Sequence, residues 1–192
     1  IPKEFFSETI IHNELYCALL EDERITSICV PELLFTIKVI HDNQYKYYIG
    51  MELLDGDGSQ FLKQRPTSKQ LRNCIDSVTN SLDELQTKFS FMHRDLHLGN
   101  IMYKKQEGLY KWFIVDFGMS TIMLNDKPMI TLNDKPFNYF SGVYAKNNKY
   151  VFNPIHDTRC ILSCISEYFR LKYTKRDVKK IKNIYEVLML MF

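Results

Sequence analysis

The residues best suited to chemistry sit in one short segment, His93-Arg94-Asp95-Leu96-His97-Leu98-Gly99-Asn100, and in a triplet beyond it, Asp116-Phe117-Gly118. Asp95 and Asp116 carry carboxylates and Asn100 an amide, and hard divalent cations such as Mg2+ prefer such oxygen donors. A loop carboxylate can also orient a hydroxyl and take its proton, a role that fits Asp95. Asn100 lies five residues further on, and Asp116 falls at the end of a strand-like run. A loop and a strand end can converge on one metal cluster without either moving far. The competing reading is a set of loop residues that only cap neighbouring helices.

These groups need elements to hold them. Ile11, Leu15, Ala18 and Leu19 recur at helical spacing and predict a helix over Glu8–Leu20. Two runs rich in β-branched and aromatic residues, Ile28–Val39 and Tyr45–Leu54, read as a β-hairpin across the polar turn His41-Asp42-Asn43-Gln44. Asp55-Gly56-Asp57-Gly58 is the strongest breaker and marks a lobe boundary. A long helix follows, about Ser68 to Thr87, with Thr67 or Ser68 as its cap and Leu71, Ile75, Val78, Leu82 and Leu85 as its apolar stripe. The loop Ser90–Gly99 leads to two short strands, Ile101–Tyr103 and Trp112–Val115, around Gln106-Glu107-Gly108. From Gly118 to about Pro154 the chain reads as irregular. Within that stretch Leu124-Asn-Asp-Lys-Pro128 recurs as Leu132-Asn-Asp-Lys-Pro136, a local duplication in a tolerant loop. Asp157–Leu171 and Arg176–Met191 read as helices, the first heavily apolar and therefore buried.

A chain of 192 residues is long enough for one substantial core, or for one core and part of a second lobe. Its net charge of +2 gives no signal for a nucleic-acid or membrane partner, and it says nothing of oligomeric state. Cys17, Cys29, Cys74, Cys160 and Cys164 are odd in number and lack metal or disulfide spacing. They read as plain buried thiols in a reducing, intracellular compartment, cytoplasm or nucleus. No apolar run approaches the roughly 20 residues of a membrane span.

His-Arg-Asp-Leu-x-x-x-Asn followed by Asp-Phe-Gly resembles the signature of eukaryotic protein kinases. At about one in twenty per fixed position, so many ordered matches do not arise by chance. The resemblance implies an α+β fold, protein kinase-like and bilobal. Residues 1–54 would form a partial, β-rich N-lobe holding the family's C helix, two strands and the hinge. Residues 55–192 would form a mainly helical C-lobe with the catalytic loop, the Asp-Phe-Gly turn and the activation segment. It implies ATP with Mg2+, or Mn2+, as cofactors and a protein substrate phosphorylated on Ser or Thr hydroxyls. Asp95 would serve as proton acceptor, and Asn100 and Asp116 as metal ligands. His93 and Phe117 would pack in a hydrophobic column that aligns the loops. Glu8 fits the C-helix glutamate by register, with Glu14 as a second candidate. Met51 would be the gatekeeper, and the backbone of Glu52, Leu53 and Leu54 would pair with adenine. Met102 would lie under the adenine ring, and Asp57 or Ser59 would reach the ribose. Asp157 resembles the aspartate that holds the catalytic loop from the head of a buried helix, although a simple N-cap has comparable geometry. Arg94 resembles an activation-loop anchor, with Thr121, Thr131 and Tyr139 as candidate acceptors.

Within that family Asp-Leu-His-x-Gly-Asn looks like haspin-type kinases, and also like aminoglycoside and choline phosphotransferases. Glu8-Thr-Ile-Ile-His-Asn-Glu-Leu15 is similar to the haspin C-helix region. Composition biased to Phe, Tyr, Ile, Lys and Asn fits an AT-rich genome, hence an expected viral source and a host-cell location. His97 stands where Ser/Thr kinases carry Lys and would hydrogen-bond the γ-phosphate, best when protonated. Haspin-type kinases usually carry Asp-Tyr-Thr where this chain has Asp-Phe-Gly. Val143-Tyr144-Ala145-Lys146 replaces the usual Ala-Pro-Glu. No Gly-rich loop or strand lysine precedes Glu8, and Lys3 is too close to stand in for it. The expectation is that the coding sequence continues upstream of Ile1, or that the chain is a reduced kinase. Two alternatives to a protein kinase stay open: a scaffold without activity, and a small-molecule kinase of the aminoglycoside or choline type.

Overall fold

Helix α1 runs over Lys3–Glu21 and buries Ile11, Leu15 and Leu19 along one stripe, which confirms the helical spacing and extends it toward the N-terminus. The computed structural model describes residues 3–21, 30–42, 44–124, 127–130 and 153–172. Strands β1 (Leu33–His41) and β2 (Gln44–Met51) pair antiparallel, closing at His41↔Gln44 with Asp42 at φ 49°. The strand starts at Leu33 rather than Ile28. Pro31 has no N–H for a ladder, and its carbonyl is taken by His12. At the other end β2 stops at Met51, and Glu52–Leu54 is a connector without regular secondary structure.

The Asp55–Gly58 segment does more than break the chain. Gly56–Asp57 forms a short strand, β3, and Asp57 caps helix α2 (Gly58–Lys63) in a reciprocal capping box with Gln60. Gly58 is required there, because a Cβ would lie 2.9 Å from the Leu98 carbonyl oxygen. Helix α3 (Ser68–Phe89) takes Thr67 as its cap, with Thr67 Oγ1 accepting from Gln70 N–H and Gln70 Oε1 accepting from Thr67 N–H. Leu71, Ile75, Val78, Leu82 and Leu85 are all buried, as their spacing predicts. Ser90 ends the helix at φ 46°.

Strands β4 (Ile101–Gln106) and β5 (Leu109–Ile114) form a hairpin whose turn residues Glu107 and Gly108 both have positive φ, 52° and 82°. Such a turn matches the right-handed strand twist. β3 adds to the free edge of β4 through Gly56↔Tyr103 and Asp57↔Met102. Beyond Gly118 the chain is not irregular at first: β6 (Thr121–Leu124) and β7 (Lys127–Ile130) pair as a hairpin. The first copy of the duplicated motif supplies its closing pair, Leu124↔Lys127; the second copy lies outside the described residues. Helix α4 (Ile155–Lys172) buries Ile161, Leu162, Ile165 and Phe169. The helix expected over Arg176–Met191 lies outside the described residues.

One apolar cluster joins α1, α3, α4, β4 and β5; a smaller one contains Leu54, Phe113 and Val115, with Met51 and Met102 packed against it. Of the cysteines, Cys74 is buried, and burial pushes its thiol far up. Cys17 is exposed, because it falls on the outer face of α1. Cys160 and Cys164 are half-buried, and burial pushes Cys160 up to about 11, so neither is an activated thiol. Cys29 lies outside the described residues. No described helix is long and apolar enough to cross a membrane.

Candidate active site

The catalytic-loop segment is fixed from beneath by one carboxylate. Asp157 is fully buried; its Oδ2 accepts the His93 N–H at 2.7 Å and its Oδ1 the Arg94 N–H at 2.9 Å. It does not cap α4. Asn153 Oδ1 accepts the Ile155 N–H, and Asp157 sits in the first turn facing the loop. Arg94 sits at φ 70°, a strained value for a non-glycine residue, and its own amide and the preceding His93 amide are tied to the same Asp157 side chain. Met92 exchanges both backbone hydrogen bonds with Thr121, at 3.0 and 2.8 Å, which docks β6 on the same loop. Thr121 is therefore buried and not a surface acceptor; Thr131 and Tyr139 lie outside the described residues.

His93 is a structural residue whose tautomer follows from its partners. The Val115 carbonyl can only accept, so Nε2 (2.9 Å) carries the proton; the Asp95 N–H points at Nδ1 (3.4 Å). Its ring lies 5.9 Å from Phe117 and 6.2 Å from Phe91, centroid to centroid, and all three residues are fully buried. The expected column is present, and the structure extends it. Phe117 also meets His12 of α1, edge-on at 5.2 Å.

Above this column stand the polar groups. Asn100 is buried, and its Nδ2 donates to the Asp95 carbonyl at 2.9 Å, which leaves Oδ1 without a hydrogen-bond partner among the described residues. Its own carbonyl accepts the Val115 N–H at 3.0 Å, so Asp116 is the next residue along from Asn100's partner. Asp116 is exposed and left-handed at φ 64°, with Oδ1 accepting weakly from Gly118 N–H at 3.4 Å. The Asp95 carboxylate is 44% exposed, with His97 Nε2 at 4.0 Å. Gly99 N–H donates to His97 Nδ1, so in the neutral ring Nε2 carries the hydrogen facing Asp95. Among the described residues no three His, Cys, Asp or Glu side chains gather to hold a metal by themselves. What is available is an amide oxygen and an exposed carboxylate. That set suits Mg2+, which keeps several waters and completes its shell with substrate phosphates.

Glu8 comes to this site and Glu14 does not. A Cβ placed on Gly118 would lie 3.7 Å from Glu8 Oε2 and 3.3 Å from Asp116 Oδ1, so both carboxylates flank that glycine. Burial, and next the Asp116 charge, push the Glu8 carboxyl above its ordinary range. Glu14 is exposed and lines a groove of about 320 Å³ between α1 and β1.

At the other end of the site, Met51 and Met102 are half-buried against Leu54, while Leu53 is 88% exposed. Glu52 is held on two sides. Its N–H donates to the Glu32 carbonyl at 3.0 Å, and its Oε2 pairs with Lys104 Nζ at 2.8 Å. Asp55 ties the connector to β4, donating its N–H to the Tyr103 carbonyl and accepting the Lys105 N–H. Asp57 lies beside Met102 with Oδ1 committed to capping α2.

Residues 3–150 match the family model described as the protein kinase domain. The chain belongs to the protein kinase family. Among curated relatives, it is 33% identical over 81 residues to a probable serine/threonine-protein kinase, fnkB, of Dictyostelium discoideum, covering 41% of this chain and 15% of that one. It is 31% identical over 102 residues to the mitosis inducer protein kinase cdr1 of Schizosaccharomyces pombe, covering 50% of this chain and 16% of that one. The chain thus spans about a sixth of the length of these kinases. Sequence reasoning about the kinase site missed His12, although a position four residues after Glu8 shares its helix face. It also missed the Glu52–Lys104 and Asp55–Lys105 ties. Nothing local signals these, since the partners are 52 and 50 residues apart.

Proposed function

We propose that the chain transfers the γ-phosphoryl group of ATP to Ser or Thr hydroxyls of a protein substrate. The observation that carries this is the Asn100 Nδ2 hydrogen bond to the Asp95 carbonyl. It presents an amide oxygen beside the Asp116 strand end and leaves the Asp95 carboxylate open. Mg2+, or Mn2+ in its place, would be held by Asn100 Oδ1 and Asp116 and would neutralise charge on the phosphate oxygens. Asp95 orients the acceptor hydroxyl and takes its proton as the oxygen bonds to phosphorus and ADP departs. His97 offers Nε2–H to the transferring phosphate. Met51, as gatekeeper, and Met102 form the apolar bed for adenine, with the backbone of Glu52, Leu53 and Leu54 as its hydrogen-bonding edge. Asp57 or Ser59 faces the ribose, and Glu8 orders the phosphate end.

In this reading residues 1–54 and 55–192 form the two lobes of a bilobal kinase. The Asp95–Asn100 run supports a kinship with haspin-type kinases, and the composition supports a viral source acting inside a host cell. In the full chain with ATP and Mg2+, Asp95→Asn is expected to lower protein phosphorylation by at least roughly 100-fold. Equal labelling by both forms defeats the proposal.

One observation favours a non-catalytic scaffold instead. Glu8 has no cationic partner among the described residues and faces a second carboxylate, Asp116. Thermal shift with ATP and Mg2+ separates the readings, because a scaffold of this kind gains no stability from nucleotide.

A further inference from the structure

Helix α4 carries two side chains able to ligate a metal one turn apart on one face, His156 and Cys160. His156 Nε2 and Cys160 Sγ lie 3.6 Å from each other, and both residues are half-buried rather than sealed in the core. In the free protein this contact is a thiol hydrogen bond, with Sγ–H donating to Nε2. That bond needs a lone pair on Nε2 aimed at the sulfur, and it leaves the ring hydrogen on Nδ1. A metal ion needs the same lone pair in the same place. With bonds of about 2.1 Å to nitrogen and about 2.3 Å to sulfur, a tetrahedral Zn2+ holds two such ligands about 3.6 Å apart. The pair already stands at that spacing. Residues four apart on a helix are also the spacing by which helices chelate zinc.

We propose that His156 and Cys160 form a two-ligand site for Zn2+, with water in the remaining coordination positions. The ion takes the place of the thiol hydrogen. Cys160 binds as thiolate, its proton leaves to solvent, and neutral His156 gives its Nε2 lone pair. Burial, and next the Asp157 charge, hold that proton on Cys160, so the metal must displace it and the site is weaker than a closed four-ligand one. A thiolate with an imidazole suits Zn2+, whereas Mg2+ goes to the oxygen donors Asn100 and Asp116. Cys164, one further turn along, is engaged with the Leu98 carbonyl and is not a ligand. A two-ligand site agrees with the absence, among the described residues, of any three such side chains gathered around one point. The two ligands bracket Asp157, whose carboxylate holds the His93 and Arg94 amides. An ion closing that turn of α4 therefore braces the anchor of the catalytic loop, whether or not the chain transfers phosphate.

The test is a titration of the full chain with Co2+, a spectroscopic stand-in for Zn2+, followed by competition with Zn2+, both with Mg2+ in excess. The native chain should show a near-ultraviolet thiolate-to-cobalt charge-transfer band that Zn2+ removes. Cys160→Ser should lose the band, and His156→Gln should weaken Zn2+ binding at least roughly tenfold. Cys17→Ser and Cys164→Ser should keep it, the first because that thiol lies on the outer face of α1 and the second because it is not a ligand. Thermal shift gives a second reading: Zn2+ should raise the native Tm, and the rise should vanish in both ligand variants. Their metal-free melts report whether they fold, and if Cys160→Ser does not, His156→Gln decides. The absence of a band in the native chain, or its survival in Cys160→Ser, overturns the proposal and leaves the contact a hydrogen bond only. Unchanged Zn2+ affinity in His156→Gln overturns it as well, as does loss of the band in Cys164→Ser.

Discussion

The catalytic loop and the β1–β2 hairpin both carry large apolar side chains and hold them very differently. In the loop, Phe91 and His93 are fully buried against Phe117 of the neighbouring turn, and two consecutive amides share one buried carboxylate. In the hairpin, Phe35, Ile37, Ile40 and Tyr45 are 52%, 46%, 67% and 58% exposed. Both regions carry large apolar side chains, Phe91 and Leu96 in one and Phe35, Ile37 and Tyr45 in the other, so the presence of such residues does not separate them. The difference is what lies on each side. The loop is enclosed by α1, α4 and β6, whereas the hairpin is a two-stranded sheet with no third strand among the described residues. Apolar character makes a segment ready for burial, and only a neighbour on each face turns that into order.

That contrast can be broken by mutation. The largest effect is expected at Asp157→Ala, which strands the His93 and Arg94 amides in an interior site. Urea melts should show a loss of about 4 kcal/mol, and any phosphotransfer should vanish with it. Leu82→Ala, in a fully buried position of α3, should follow at about 3 kcal/mol by the same measurement. Ile37→Thr on the hairpin should be smallest, within about 0.5 kcal/mol. If Ile37→Thr costs as much as Leu82→Ala, the hairpin face is covered in solution and the contrast fails. If Asp157→Ala is mild, the loop holds its shape without its buried acceptor.

Much of this was readable from local pattern. The α3 stripe and its Thr67 cap need only neighbours within four residues, and the Glu107-Gly108 turn needs only its own backbone preferences. Asp95, Asn100 and Asp116 stand out in the sequence as oxygen donors in a kinase-like motif, and the structure ties Asn100 to the Asp95 carbonyl. Less legible were elements where a distant partner overrode local preference. β1 begins late because Pro31 serves His12. The stretch after Gly118 forms strands because Thr121 pairs with Met92 across the loop. Asp57 is held as a helix cap beside Met102, a demand that its place in a turn sequence does not announce.

The order of helices and hairpins and the identities of the acids and the amide at the site were determined by the sequence, since periodicity, capping and donor chemistry act over a few residues. Only the tertiary structure decided that Asp157 grips His93 and Arg94, 64 and 63 residues away. It likewise chose Glu8 over Glu14 and set His12 against Phe117. Those outcomes depend on which surfaces meet when the chain closes on itself, and hydrogen bonds between distant segments leave no periodic trace in the sequence.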